Sequence, residues 1–331
     1  MDSDASDREP SNPSTQDLQD EQREQLESSL PVPDQPSEPL SDFALQLIHH
    51  KDDPALITIS QAERIQESLS KTYMVYPITV ALADQVYTAK RRYSEFESLW
   101  TLMVKSHPAV LVPPIPQKHS IGDLTIKNGK DSGKKRVEER ERLLKAFLVR
   151  SIKHPALVLF KPMHLFMMGK QSWHEILQTS GLAHLLVKRP KLAKSMGNLR
   201  KPDAQFQGAL DFTGRFTAQV QYMQKSVKKI ADHYKVLNKA SSELGMHYNS
   251  WSLSEEELQA PIEGAGQAFD TCAGLAGELE RSVNVDLGEQ LYEFGLYATS
   301  IERLLDSRNK KHYEFESTSE QLIQKQVTLL I

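Results

Sequence analysis

The chain has 331 residues, 39% of them hydrophobic and 25% charged, with a formal net charge of -4, which suits two ordinary domains or one domain and a long helical unit. Cys272 is the single cysteine, so an intrachain disulfide and a thiolate zinc cluster are excluded, and a reducing compartment is expected. No apolar run approaches the roughly 18 residues that cross a bilayer, and Asp2, Asp4, Asp7 and Glu9 occupy a start that lacks the basic and apolar regions of a secretory leader. A protein that is neither secreted nor integral to a membrane is expected.

The net charge conceals an asymmetry: residues 1–50 carry 12 acids and two bases, and the remainder carries 32 acids and 38 bases. A basic folded part favours an anionic partner, a membrane surface or a nucleic acid. Residues 1–42 are rich in Ser, Asp, Glu, Gln and Pro, with too little apolar surface to offset chain entropy, and a disordered acidic tail is expected there. From Ala55 the pattern changes to β-rich runs at 55–59, 72–82 and 86–93, separated by polar turns, which predicts a three-stranded antiparallel meander. Phe96, Leu99, Trp100 and Met103 then recur at helical spacing, predicting a helix from Ser94 that stops before Pro108, with all four facing the core and Trp100 taking no ligand role.

Where the third strand meets that helix stands Lys90-Arg91-Arg92-Tyr93-Ser94-Glu95-Phe96. A forked guanidinium can hold a phosphate through two parallel hydrogen bonds, a neighbouring ring can lie against an inositol face, and a helix start offers N–H groups to an anion. Such pairs are also commonly solvated charges or partners for carboxylates such as Glu95 and Glu97. Downstream, Val112-Pro113-Pro114-Ile115-Pro116-Gln117-Lys118 predicts an extended polyproline-like turn, the alternative being an SH3 ligand. Residues 119–136 read as a loop with Ile121, Leu124 and Ile126 amid lysines and arginines; these apolar tips either dip into a headgroup layer or tuck under the loop. Val137 to Ile152 reads as an amphipathic helix carrying Glu138-Glu139-Arg140-Glu141-Arg142, with Val137, Leu143, Leu144, Phe147, Leu148 and Ile152 inward, and a short helix over 156–168 closes the small core.

This order of a basic-aromatic motif, a proline-rich turn ending in Lys and a helical Arg resembles the PX domain of sorting nexins. The resemblance implies an α+β domain over 43–169 that binds phosphatidylinositol 3-phosphate. By position, it assigns Arg92 to the 3-phosphate with help from Ser94, Tyr93 to the inositol ring, Lys118 to the 1-phosphate and Arg140 to the far hydroxyls. Arg91 and Arg142 are left as flanking charges.

Residues 170–202 read as a connector with a helical piece around Trp173, Ile176 and Leu177 and a basic end. Over 203–331 the sequence is helix-forming, broken near 248–254 and Pro261, with stripes such as Phe206, Leu210, Phe212, Phe216, Val220, Met223, Val227 and Ile230 that suit helices packing on one another. Lys188 to Lys239 holds twelve bases against three acids, a face that lies on anionic lipid or is simply solvated. With the connector Ser172-Trp173-His174-Glu175-Ile176-Leu177 and residues 297–315, this all-α unit resembles the BAR domain that follows PX in many sorting nexins, closest to fungal members acting in endosomal retrieval and autophagy. Two long helices fit before Ile331, so the third of a BAR domain is expected to be lacking.

The eleven histidines show no HExxH and no pairing with cysteine, Gly264-Ala265-Gly266 lacks the rest of a dinucleotide fingerprint, and neither GxxxxGK[ST] nor GxSxG occurs. The expectation is a non-enzymatic protein without cofactor or metal, peripheral on the cytosolic face of endosomes. Its expected partners are phosphatidylinositol 3-phosphate, an anionic membrane surface, a second sorting nexin in a homo- or heterodimer, and cargo or autophagy proteins. The rival readings are a helical adaptor whose lipid contact is incidental and, from the basic stretch, a nucleic-acid surface, against which stand the scarcity of interleaved aromatics and the lack of a nucleic-acid motif.

Overall fold

The computed structural model describes residues 41–66, 72–83, 85–118, 130–187 and 203–330. The readings made for most of the acidic tail, for Ile121, Leu124 and Ile126, and for the basic end of the connector lie outside these residues. The chain divides into two units, Met1–Asp42 and Phe43–Ile331, and the elements below belong to the second apart from the first residue of α1.

The sheet is built on one long strand. β1 (Ile57–Ile59) and β2 (Glu63–Gln66) both pair antiparallel with β3 (Thr72–Ala81), and β4 (Val86–Arg92) pairs with its other edge. The expected meander is present, with a fourth strand, β2, that the sequence reading left unassigned. Ile59 lies opposite Ile78 but Glu63 opposite Val75, so residues 60–62 face only Tyr76 and Pro77, an insertion of one residue. Pro77 has no N–H to give the ladder, and a bulge is where a central strand tolerates it. Its carbonyl still accepts from the Ser60 N–H at 3.0 Å, and the Ala62 N–H of the bulge donates to Glu141 Oε1 at 2.5 Å. Burial and the charge of Glu138 push the Glu141 carboxyl up, while that Ala62 bond and Arg142 pull it down, burial being the largest cause.

Helices close the lobe. α1 (Asp42–His50), which the sequence reading left unassigned, buries Phe43, Ala44 and Leu47. α2 (Tyr93–Ser106) buries Phe96, Leu99, Leu102 and Met103 and ends before Pro108. α3 (Lys130–Lys153) starts within the stretch read as loop, because Lys, Arg and Glu are good helix formers. Its Leu144, Phe147, Leu148 and Ile152 are inward as expected, and Val137 is half-buried. α4 (Lys161–Met168) ends at Gly169 with φ 70°, and α5 (Trp173–Thr179) starts on a reciprocal cap: Ser172 Oγ accepts from the Glu175 N–H, and the Ser172 N–H donates to Glu175 Oε2. A short α6 (Ala183–Leu186) follows. Trp173 and Ile176 share one core with Phe166, so the helical part of the connector folds onto the sheet lobe.

The second lobe is two long helical stretches. α7 (Ala204–Ser252) is followed, after a short break, by α8 (Gln259–Ser282), a π-helical turn (Val283–Gly288) and α9 (Glu289–Leu330), continuous with one another. Pro261 falls in the first turn of α8, where its missing N–H costs nothing. Val220 and Val227 are buried, yet Phe212, Met223 and Ile230 are exposed, so the predicted stripe is only half covered within one chain. Among the described residues no helix is long and apolar enough to cross a membrane.

Close approach of α7 and α8 depends on glycine. A Cβ at Gly266 would stand 2.0 Å from Asn249 Oδ1 and 3.2 Å from the Asn249 nitrogen, and one at Gly245 would stand 2.2 Å from Asp270 Oδ1; Asn249 Nδ2 donates to Asp270 Oδ2 across the pair at 3.0 Å. Gly266→Val is expected to cost about 1–3 kcal/mol through overpacking, read as a lower melting temperature by circular dichroism. Gly264→Val, with open space at its Cβ, is the control.

Candidate functional site

The β4–α2 junction converts a strand into a helix without a loop, and alternation along β4 assigns the two arginines. Ala89 and Arg91 point inward, while Lys90 is exposed. Arg91 is therefore not a flanking charge. It is 4% exposed, donates from Nε to Phe166 O at 2.9 Å and from Nη2 to Leu165 O at 3.3 Å and Gln171 O at 3.0 Å, and lies over the Phe166 ring. It neutralises the carbonyl end of α4. Burial lowers its pKa and Glu95 opposes that, and a guanidinium stays charged regardless.

Arg92 is half-buried, with its guanidinium carbon 3.3 Å from the centroid of the Tyr73 ring. It stands at the N-terminal cap of α2, where its backbone N–H donates to Glu95 Oε2 at 3.0 Å. Ser94 is exposed in the first turn. Tyr93 turns inward, and its hydroxyl donates to the carbonyl of Pro116. Burial, then Glu97, pushes the phenol up and Arg140 pulls it back, so Tyr93 remains a neutral donor at physiological pH.

Arg140 arrives from the middle of α3. It is 4% exposed, with its guanidinium carbon 4.7 Å from the Tyr93 ring centroid, Nη1 donating to Tyr76 Oη and Nη2 to Gln117 O, both at 3.3 Å, and a buried Nε without a partner. Burial raises the Tyr76 phenol against the lowering effect of Arg140. Lys118 follows Gln117 and is exposed, its Nζ 2.9 Å from Glu97 Oε2. Pro113, Pro114 and Pro116 are buried, the structural use rather than that of an SH3 ligand.

Tyr93, the Pro116–Lys118 turn and Arg140 thus converge, and Arg92 adjoins them through the helix start. The sequence reading missed Tyr73 and Tyr76, which hold Arg92 and Arg140, and named Glu97 as a partner of the arginines where it holds Lys118, because each pairing depends on strand register or on a turn meeting a helix. It also missed Tyr292 of α9, whose hydroxyl accepts from the Gln117 N–H at 3.3 Å. Arg142, read as a flanking charge, forks onto Glu289, with Nε 2.8 Å from Oε2 and Nη2 2.5 Å from Oε1. Lys135 with Glu280 and Arg150 with Glu293 extend the row, so one face of α3 is clamped to the π-helical region.

Residues 83–168, from just before β4 to the end of α4, match the PX domain. That segment is a PX domain. Over 303 residues the chain is 29% identical to sorting nexin-41 of Yarrowia lipolytica, covering 82% of this chain and 52% of that protein. Over 283 residues it is 24% identical to human sorting nexin-4, covering 81% and 62%. The chain is a homologue of sorting nexins, fungal ones among them, and spans about half the length of the first curated relatives it matches. Among solved structures it is similar to the SNX-BAR Mvp1 tetramer, with a TM-score of 0.49 and 15% identity over 83% of this chain and 76% of that one. Behind the PX domain stand the long helices described above.

Proposed function

We propose that the chain is a non-enzymatic peripheral membrane protein of endosomes whose PX domain binds phosphatidylinositol 3-phosphate. The observation that carries this reading is the convergence of Arg140, Tyr93 and the turn bearing Lys118 beside the helix start that follows Arg92. Arg92 and Ser94 meet the 3-phosphate, Tyr93 lies against or under the ring, Lys118 takes the 1-phosphate and Arg140 the far hydroxyls. Lys118 exchanges its Glu97 partner for phosphate, an exchange that costs little because the pair is exposed.

A single headgroup site gives modest affinity, so stable residence needs a second contact. The exposed apolar side chains of α7, Phe212, Met223 and Ile230 among them, suit a homo- or heterodimer with another sorting nexin. The roles this reading assigns are endosome-to-Golgi retrieval and autophagy, on the resemblance to fungal sorting nexins of that group.

Liposome sedimentation tests the site. Arg92→Ala is expected to bind vesicles containing phosphatidylinositol 3-phosphate about 10- to 100-fold more weakly, the equivalent of one or two charge-assisted hydrogen bonds, with no change on vesicles lacking it. Equal binding of wild type and variant would overturn the assignment. Retained partner capture by a wild-type chain that binds no phosphoinositide would favour the adaptor reading.

A further inference from the structure

Among the described residues, three side chains hold the backbone of the turn that presents Lys118. The Pro116 carbonyl accepts from the Tyr93 hydroxyl, the Gln117 carbonyl accepts from Arg140 Nη2 at 3.3 Å, and the Gln117 N–H donates to the Tyr292 hydroxyl at 3.3 Å. Tyr93 and Arg140 belong to the headgroup site itself. Tyr292 comes from α9, 175 residues further along the chain, and has no part in the headgroup contacts assigned above. Burial pushes its phenol up, with Glu139 adding to this and the Gln117 bond and Arg140 opposing it, so Tyr292 stays a neutral hydroxyl.

Charge fixes the place of Tyr292 from both sides. Arg142 forks onto Glu289, one helical turn before it, and Arg150 pairs with Glu293, the residue after it. Both bases lie on α3, the helix that carries Arg140, so the face of α9 bearing Tyr292 is registered against an element of the site. The π-helical turn Val283–Gly288 stands directly ahead of this face. Each residue of an α-helix rotates the chain by about 100°, so the extra residue of a π turn decides which face of α9 meets the PX domain. Further along that face, Leu296 and Ser300 line a cavity of about 280 Å³ together with Tyr93, Gln117 and Lys118.

We propose that Tyr292 is a positioning residue of the headgroup site, through which the second lobe holds Lys118 toward the 1-phosphate. The inference rests on the phosphoinositide reading above. When a headgroup enters, Lys118 leaves Glu97 and Arg140 turns donors to the ring hydroxyls, so these two ties on the turn are diverted to the ligand. The Tyr292 bond does not compete with the ligand and remains in place. Without it the turn loses its anchor on α9, and the exposed Lys118 samples directions that miss the phosphate. The Gln117 N–H of that bond is exposed and takes water when the hydroxyl is removed, so folding is little affected while binding weakens.

The probe is water-soluble dibutanoyl phosphatidylinositol 3-phosphate, titrated calorimetrically into the full chain, which removes any contact between the second lobe and a bilayer. Tyr292→Phe deletes only the hydroxyl and is expected to weaken binding about 3- to 10-fold, the share of one neutral hydrogen bond. Its urea unfolding midpoint is expected to match wild type. In a Lys118→Ala background the same change is expected to weaken binding less than about twofold, because the lysine that Tyr292 positions is gone. Wild-type binding by Tyr292→Phe overturns the proposal. So does a loss as large in Lys118→Ala as in the wild-type background, which would make Tyr292 a packing residue only. Failure of the headgroup reading itself has a different signature: wild type does not bind the soluble lipid, or Arg92→Ala binds it equally well, and the proposal falls with that reading. Weakened binding by Arg92→Ala beside unchanged binding by Tyr292→Phe sinks the proposal alone.

Discussion

Arg91→Met is expected to destabilise the PX domain by about 3–5 kcal/mol, because it strips three carbonyls of a charged donor and each such bond contributes about 1.5–3 kcal/mol, not fully additively. Phe166 O and Leu165 O belong to the last turn of α4, and Gln171 O lies just beyond it. The bond to Phe166 O is buried and the other two are part-buried, so a methionine leaves at least the first carbonyl without a partner. Arg91→Lys is expected to fall between, since an ammonium keeps the charge but cannot reach three acceptors from one planar fork. Urea unfolding of the chain checks both, with Arg92→Met as the contrast: its unfolding midpoint is expected to stay near wild type while phosphoinositide binding falls. A wild-type midpoint for Arg91→Met would mean that the carbonyls are satisfied some other way. The two neighbouring arginines are thus separable by experiment, one through stability and the other through binding.

Gly169→Ala is the second large effect. At φ 70° an L side chain carries about 1–2 kcal/mol of strain, and here the added Cβ would stand 2.0 Å from Thr88 O and 2.9 Å from the Thr88 carbonyl carbon. Those are backbone atoms of β4, so relief requires moving the strand that carries Arg91 and Arg92, at a further cost of about 1–3 kcal/mol. Against a typical domain stability of about 5–15 kcal/mol, the sum is a large part of the total. Gly181 isolates the steric part: it has φ 66° with nothing within 4 Å, so Gly181→Ala is expected to show the strain alone. Thermal melts of the two variants should differ by several degrees, and coincident melts would show that α4 yields away from β4 at little cost.

Two signals in the sequence were strong because their physics is local. The helix from Tyr93 to Ser106 announces itself in Phe96, Leu99 and Met103 and in the proline that follows, and the strand runs announce the meander. The inward turn of Arg91 was equally legible, since it shares the parity of Ala89 along β4, and composition alone had hidden it behind the habit of counting arginines as surface charge. Trp100 shows what periodicity leaves out. Its ring packs against the core, as the helical spacing implies, but α9 lies along its other side and leaves it half-buried at the junction between the two.

By itself the sequence determined the order of motifs, the strand-to-helix switch that carries Arg92 and Tyr93, and the long helix-forming stretch behind them, because periodicity, turn chemistry and capping act over a few residues. Only the tertiary structure decided that the Arg140 guanidinium is buried over Tyr93, that Glu97 holds Lys118, that Tyr292 meets Gln117 and that Arg142 grips Glu289. These contacts join residues far apart in the chain, and no local rule encodes which surfaces of two separately stable elements come to face each other. That choice is made by the shape of the packed core and by the pairing of charges across it.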